Sequence, residues 1–228
     1  MNEIVFRHTL ESSTLFAGLD EVGLTEVLTL ASPREAARDG ALFRQEDPPT
    51  HLFLVARGRL KLSHLSPSGS QVTLRILGPG ELAGCAAVIR RSPYPATATA
   101  VDDTTALCWN ADRFFTLMRA YPVLAENTLR IMSGRAQDFL GRLVSAAAKT
   151  AEERIAEAIL RSATHGGPTD RLELRVSRRD LAELSDVNYF TLVRTLSAFR
   201  KQGIIDLNEN CVVVRLPERL RVIASGSA

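Results

Sequence analysis

The chain has 228 residues and 45% hydrophobic side chains, enough for one large or two modest cores. Its 28 Lys and Arg against 26 Asp and Glu leave a formal charge of +2. That balance excludes a surface that is basic throughout, so any nucleic-acid contact must be a local patch.

Cys85, Cys108 and Cys211 lie far apart with no CxxC spacing, which excludes a disulfide scaffold and a four-cysteine metal cluster. Glu3, Arg7 and His8 interrupt any signal-peptide pattern, and no run of about 18 apolar residues is present. A cytoplasmic protein with no membrane partner is expected. Lys61, Lys149 and Lys201 are the only lysines. Arginine suits phosphate forks, but a GC-rich genome produces the same bias and is the weightier explanation.

Residues 13–32 form an amphipathic opening whose buried side is Leu15, Phe16, Leu19, Leu24, Val27 and Leu28. Between about 40 and 110, short apolar runs (ALFR, HLFLVARG, RLKLSHL, QVTLRILG, ATATAVDDTTALCW) alternate with turn signals at Asp47-Pro48-Pro49, Ser66-Pro67-Ser68-Gly69 and Gly78-Pro79-Gly80. Strands this short and this regularly spaced predict a compact barrel or sandwich. Alternation in Leu60-Lys61-Leu62-Ser63 and in Val72-Thr73-Leu74-Arg75-Ile76 predicts strands with one face buried.

A helix is predicted at 111–119, and Pro122 then opens a long helical run to Ala148, a position where its missing N–H costs nothing. Ala125, Leu129, Met132, Ala136, Phe139, Leu143 and Ala146 step by 4 and 3 along it, a heptad seam. Leu124, Ile131, Leu140, Val144 and Ala147 lie on a neighbouring face. One stripe can pack on the barrel and the other on a second copy of the chain; the alternative is burial of both within one chain. Gly134 weakens the helix by about 1 kcal/mol against Ala and marks a candidate close crossing.

Residues 151–165 read as another amphipathic helix, stopped at Gly166-Gly167-Pro168, and LELRVS as a strand. Over 176–205, VSRRDLAELSDVNYFTLVRTLSAFRKQGII reads as two short helices and a tight turn. Ser177 is a candidate N-cap, with Asp180 in the position of a capping-box Glu, and Asn188 can cap the second helix. That helix opens with Tyr189, Phe190 and Thr191 and then presents Arg194, a shape that fits a DNA major groove N-terminus first. After Gly203, two apolar runs flank Asn208-Glu209-Asn210, a hairpin with a turn-forming tip.

Barrel, long helix and winged helix-turn-helix, in this order, resemble the Crp/Fnr family of bacterial transcription regulators. The resemblance runs from Leu15-Phe16-x-Gly18-Leu19 to the wing. It is carried by Gly58 after HLFLVAR, Ser66-x-x-Gly69, Gly78-Pro79-Gly80-Glu81, the stretch from Pro122 to Arg154, and Arg194. It implies an α+β chain: an antiparallel, jelly-roll-like β-roll sensor domain (1–121), a long dimerisation helix with a hinge near Lys149-Thr150 (122–149), and a C-terminal winged helix-turn-helix (150–228). It also implies a homodimer joined through Leu129, Met132, Ala136, Phe139 and Leu143. The partners it implies are a palindromic promoter site in double-stranded DNA, with half-sites about one turn apart, and RNA polymerase.

The effector pocket of that family maps to Gly84, Cys85, Tyr94, Pro95, Phe139 and Leu140. Members that bind cyclic AMP use a Gly-Glu pair, an Arg-Ser pair and hydroxyls on the long helix. Here those positions read Gly84-Cys85, Tyr94-Pro95 and Phe139-Leu140. A cyclic phosphate needs a cation or several N–H donors, so cyclic AMP is not expected; Arg90 or Arg91 would be the substitute cations. Residues 1–40 contain no cysteine, which excludes an N-terminal iron–sulfur cluster. Tyr94-Pro95-Ala96 is similar to the branch that senses nitric oxide through haem. Haem therefore stays open as cofactor, with His8, His51, His64 and Cys85 as candidate ligands, beside Cys85 as a redox switch.

At the reading helix the resemblance assigns Thr191 to phosphate and Arg194 to a base edge, guanine being the commonest partner of Arg. Phe190 stands where the family usually has Glu, and can meet a thymine methyl instead. Tyr189 can donate to a phosphate or a base. Ser177, Arg178, Arg179 and Asn188 sit at helix N-termini that favour phosphate. The competing reading is a ligand- or haem-binding module that acts on a protein partner and keeps a decayed helix-turn-helix. No catalytic set is legible; Asp102-Asp103 reads as a turn former.

Overall fold

The computed structural model describes residues 2–69, 71–166, 171–208 and 211–226. The chain divides into two compact units, Met1–Gln137 and Asp138–Ala228.

The first unit opens with α1 (Asn2–Ser12), a 3-10 turn (Thr14–Phe16) and α2 (Glu21–Thr29). Leu15, Phe16, Leu24 and Val27 are buried, as their spacing predicts. The segment is not continuous, because Gly18 takes a left-handed φ of +86° and Asp20 caps a new helix through the N–H of Gly23.

Eight strands follow: β1 (Ser32–Ala36), β2 (Ala41–Phe43), β3 (His51–Arg57), β4 (Leu60–Leu65), β5 (Gln71–Leu77), β6 (Leu82–Ala83), β7 (Thr97–Ala100) and β8 (Thr104–Asn110), with α3 (Cys85–Arg90) between β6 and β7. They form two antiparallel sheets, ordered β1-β8-β3-β6 and β2-β7-β4-β5. β1, β6 and α3 have no clear period in sequence. β1 carries Pro33, which an edge strand tolerates because it leaves one row of donors unpaired. One core lies between the sheets, around Phe43, Phe53, Leu60, Leu77 and Tyr94. The other lies under the helices, around Trp109, whose indole N–H donates to the carbonyl of Val27 at 2.8 Å.

Gly58 is required by geometry: its φ is +79°, and a Cβ would stand 2.6 Å from the carbonyl oxygen of Asp103. Asp102 and Asp103 do form turns, accepting the backbone N–H groups of Arg59 and Arg38. The expected face of β5 is inverted. Thr73 and Leu77 are buried, while Val72 is exposed. A bulge between Leu62 and Ser63 of β4, with Leu60 paired to Leu77, sets that register, and Arg75 on the inner row is satisfied by Glu81 at 3.0 Å.

α4 (Ala111–Ala120) and α5 (Pro122–Ala148) occupy the predicted positions. α5 is shared between the two units, whose boundary falls within it at 137/138. Its first half is held by Leu124 in the core and by Asn127, which is 1% exposed and donates to the carbonyls of Leu15 and Ala17.

The second unit contains the end of α5, α6 (Ala151–Ser162), β9 (Thr164–Gly166), β10 (Arg171–Arg175), α7 (Arg178–Leu184), α8 (Tyr189–Lys201), β11 (Ile205–Asn208), β12 (Cys211–Val214) and α9 (Pro217–Ala224). Its sheet is antiparallel, ordered β11-β12-β10-β9. α6 begins in a full capping box, with Thr150 and Glu153 each bonding the other's backbone. It ends at Ser162, short of the predicted 165, because 164–166 pair with β10 instead. Gly167-Pro168 and the hairpin tip Glu209-Asn210 lie outside the described residues.

The hinge expected at Lys149-Thr150 is a braced corner. Lys149 Nζ reaches Glu157 Oε2 at 3.3 Å and the carbonyl of Ala224 at 2.8 Å, and Ser145 donates to the same Glu157 oxygen. Among the described residues, no helix is long and apolar enough to cross a membrane.

Candidate nucleic-acid interface

Both helices of the motif begin at side-chain caps. Asn188 Oδ1 accepts the N–H of Thr191 at 2.9 Å. Ser177 Oγ accepts the N–H of Asp180 at 3.1 Å and donates to the Asp180 carboxylate at 2.6 Å. The predicted reciprocal box is therefore closed on the Ser177 hydroxyl. Asp is one methylene shorter than Glu, which limits its reach back to the backbone N–H of the cap.

The turn between α7 and α8 places Asp186 at a left-handed φ of +52°. Arg154, on α6, holds it: Nε donates to the carbonyl of Ser185 at 3.2 Å and Nη2 to that of Asp186 at 3.0 Å. Its Nη1 donates to the carbonyl of Lys149 at 2.9 Å. These three bonds set the reading helix against the braced corner. A sequence carries no periodic signal for such a role.

Leu181, Leu184, Leu192, Leu196 and Phe199 are buried and fasten the two helices into the second unit. What remains outward is the predicted reading face. Phe190 is 85% exposed and Tyr189 49%, and their rings meet edge to face with centroids 6.3 Å apart. Arg194 is exposed and Thr191 half-buried. Arg178 is half-buried, while Arg179 is exposed and 3.9 Å from Glu183 one turn on. Arg178 and Arg179 at the N-terminus of α7, beside an α8 N-terminus with no acidic residue in its first turn, make an anion-attracting surface.

The effector positions split between the units. Gly84, Cys85, Tyr94 and Pro95 are in the first, and Phe139 and Leu140, both exposed, are in the second. Within the first unit these effector positions, here called the cassette, are occupied by the chain's own side chains. Tyr94 is 2% exposed and stacks on Phe43 at a centroid distance of 4.0 Å. Its hydroxyl donates to the carbonyl of His51 at 2.5 Å and accepts the N–H of His51 at 3.0 Å. Burial raises the Tyr94 pKa above its ordinary value, which keeps the phenol neutral. Gly84 has a φ of +78°, and a Cβ there would be 3.0 Å from the Tyr94 ring. Cys85 is buried and Pro95 exposed.

A cation does reach this place, and it is one that sequence reasoning missed. Arg135 of α5 donates to the carbonyl of Leu82 at 2.5 Å and to Cys85 Sγ at 3.4 Å. It follows the half-buried Gly134 on the inward side of the helix, where a polar residue in an apolar row is the one available signal. Arg90 and Arg91, the substitutes considered for a phosphate, are exposed, and Arg91 lies over the Phe115 ring at 5.4 Å.

Of the candidate haem ligands, His8 is exposed on α1, and His64 Nδ1 is 2.8 Å from the carbonyl of Pro95. His51 Nδ1 is 3.0 Å from Thr50 Oγ1. Burial and then the charge of Arg34 lower the His51 pKa. Among the described residues, no three His, Cys, Asp or Glu side chains gather as a metal site.

Along α5 the expected interface residues differ in their surroundings. Leu129, Phe139 and Leu143 are exposed, as is Ala136. Met132 instead packs with Ile131 on the helical core of the first unit. Leu140 and Val144, from the second stripe, are exposed too. Gly134, two residues from Ala136, is nearly opposite it on the helix, and a Cβ there would meet nothing within 4 Å in this chain.

A β-barrel followed by a long helix and a winged helix-turn-helix is the architecture of a helix-turn-helix transcription regulator. Residues 33–121 match the cyclic nucleotide-binding domain, and residues 153–223 the Crp-like helix-turn-helix domain. The chain is 30% identical over 220 residues to the cyclic AMP receptor protein of Thermus thermophilus, covering 96% of this chain and 100% of that one. It is 23% identical to the CRP-like cAMP-activated global transcriptional regulator of Mycobacterium tuberculosis, over 96% and 98%. The structure of FixK2 from Bradyrhizobium japonicum superposes with a TM-score of 0.74 at 20% identity, over 85% of this chain and 96% of that one. The protein belongs to the Crp/Fnr family of transcription regulators.

Proposed function

We propose that the protein is a homodimeric, sequence-specific DNA-binding regulator of transcription that acts in the cytoplasm and works without cyclic AMP. The observation that carries the reading is the outward face of α8. Tyr189, Phe190 and Arg194 project from a capped helix N-terminus whose opposite side is buried, the arrangement a major-groove reader needs. Arg178 and Arg179 supply phosphate contacts that set register, and Arg194 supplies base readout. Ser177 and Asn188 contribute by holding the two N-termini in shape.

Dimerisation rests on the uncovered apolar side chains Leu129, Phe139, Leu140, Leu143 and Val144 of one helix. A second α5 laid against them removes that surface from water and spaces two reading helices along one duplex face. RNA polymerase is the downstream partner of such a regulator.

Cyclic AMP is what the name of the Thermus relative says that protein receives. The cassette here does not fit it. Tyr94 fills the space beside Gly84, and Arg135 is bonded to Leu82 and Cys85. The signal is therefore a different effector, or none is needed. Selection of binding sites from a random double-stranded pool, with and without cyclic AMP, tests the reading. A palindromic site enriched equally in both arms is expected; no enriched palindrome overturns DNA recognition, and enrichment only with the nucleotide overturns its independence. An absorption spectrum with added haem separates a haem-linked signal, marked by a Soret band that shifts with nitric oxide, from an effector-free regulator.

A further inference from the structure

We propose that Phe190 is a specificity-determining residue that reads the 5-methyl group of a pyrimidine in each half-site, so that operator recognition depends on DNA methyl groups. The inference rests on the DNA-binding reading above and deepens it. Phe190 is 85% exposed at the second position of α8, and among the described residues its one ring contact is the edge of Tyr189. A bare aromatic ring on a surface is an unsatisfied apolar group, and among the described residues nothing in its own unit covers it. Arg178 and Arg179, at the N-terminus of α7 in the same motif, attract the phosphates of a duplex to this surface.

Once the helix N-terminus is in the groove, Phe190 faces base edges. It has no donor or acceptor, so the nitrogen and oxygen pattern of the bases is invisible to it. The one apolar group displayed in the major groove is the C5-methyl of thymine. Cytosine methylated at C5 displays the same methyl in the same place. A carboxylate at this position would instead accept from cytosine N4. Arg194, one turn further along the same face, supplies the polar half of the readout.

The test starts from the operator selected by the intact protein. Each thymine is replaced in turn by deoxyuridine, which removes only the methyl. Burying one methyl-sized group contributes about 0.8 kcal/mol, so affinity should fall about fourfold at one or two positions per half-site, and more when both half-sites change. Restoring the methyl as 5-methylcytosine paired with guanine at that position should recover binding relative to plain cytosine. Phe190→Ala should abolish the difference between thymine and deoxyuridine. Phe190→Glu should move preference at that position toward unmethylated cytosine. Because Phe190 is exposed, both variants should keep the wild-type melting curve.

An operator that is selected normally but shows no uracil-sensitive position depending on Phe190 overturns the proposal and leaves DNA binding standing. A Phe190→Ala variant that weakens every sequence equally overturns it too, and points to a wedge between base steps. Failure to select any operator removes both the proposal and the reading on which it rests.

Discussion

Arg154 Nη2 donates to the carbonyl of Asp186 at 3.0 Å, joining the helix that follows the long rod to the turn that aims the reading helix. Two more bonds from the same guanidinium reach Ser185 and Lys149. Arg154→Ala should lower the stability of the protein by about 1.5–3 kcal/mol, the range for hydrogen bonds to a charged group. Thermal unfolding checks this. Arg154→Lys should not restore it, because one ammonium cannot match three diverging N–H directions. Operator affinity of the folded variant should fall as well, since the turn loses the bonds that orient α8.

Arg194→Ala should lose preference at one or two operator positions, at about 1–3 kcal/mol each. Weak binding that falls steeply with salt should persist, because phosphate contacts from Arg178 and Arg179 remain. Competition binding against single-base operator variants at two salt concentrations reads both effects.

Leu143→Asp should convert the protein to single subunits at micromolar concentration, measured by sedimentation equilibrium. Leu143 is 54% exposed in the isolated chain, so the substitution is mild for folding. In a two-fold interface it counts twice, and each lost leucine burial costs about 1.5–3 kcal/mol. An unchanged oligomeric mass would place the interface elsewhere.

Tyr94→Phe should destabilise the first unit by about 1–3 kcal/mol, read by denaturant unfolding. It strands the carbonyl and N–H of His51, both bonded to the phenol, in a half-buried place. The raised Tyr94 pKa adds a pH signature. The folded state binds the phenolic proton more tightly than the unfolded chain, so this contribution is intact below the ordinary value of 10.0 and is lost as pH rises through the folded value.

His51 has the opposite sign. Its pKa is lowered from 6.5 by burial and by Arg34, so the unfolded chain takes up the proton first as pH falls. Stability should be intact above 6.5 and decline below it, and His51→Gln should flatten that decline in melting curves recorded across the acid range.

The order of barrel, long helix and helix-turn-helix, the span of α4 and α5, the caps at Ser177 and Asn188 and the buried side of α7 and α8 were all legible in the sequence. These features repeat locally, every second residue in a strand or every third and fourth in a helix, or they depend on a cap three residues from the N–H it accepts. The outward placement of Phe190 follows in the same way from the apolar spacing of Leu192, Leu196 and Phe199.

Tertiary structure alone decided which face of β5 is buried, because a bulge in β4 and the Leu60–Leu77 pair set the register. It also placed Arg135 on the cassette, 53 residues from Leu82, and turned Arg154 into the clamp of the motif. Both bonds end on backbone carbonyls, which every residue possesses, so no residue type in the sequence marks the acceptor. Tyr94 stood in the cassette by position, but its burial against Phe43 and Gly84 comes from three separate segments closing on one another. Periodicity reports which side of an element meets the core; the partner waiting there is set only when distant segments pack.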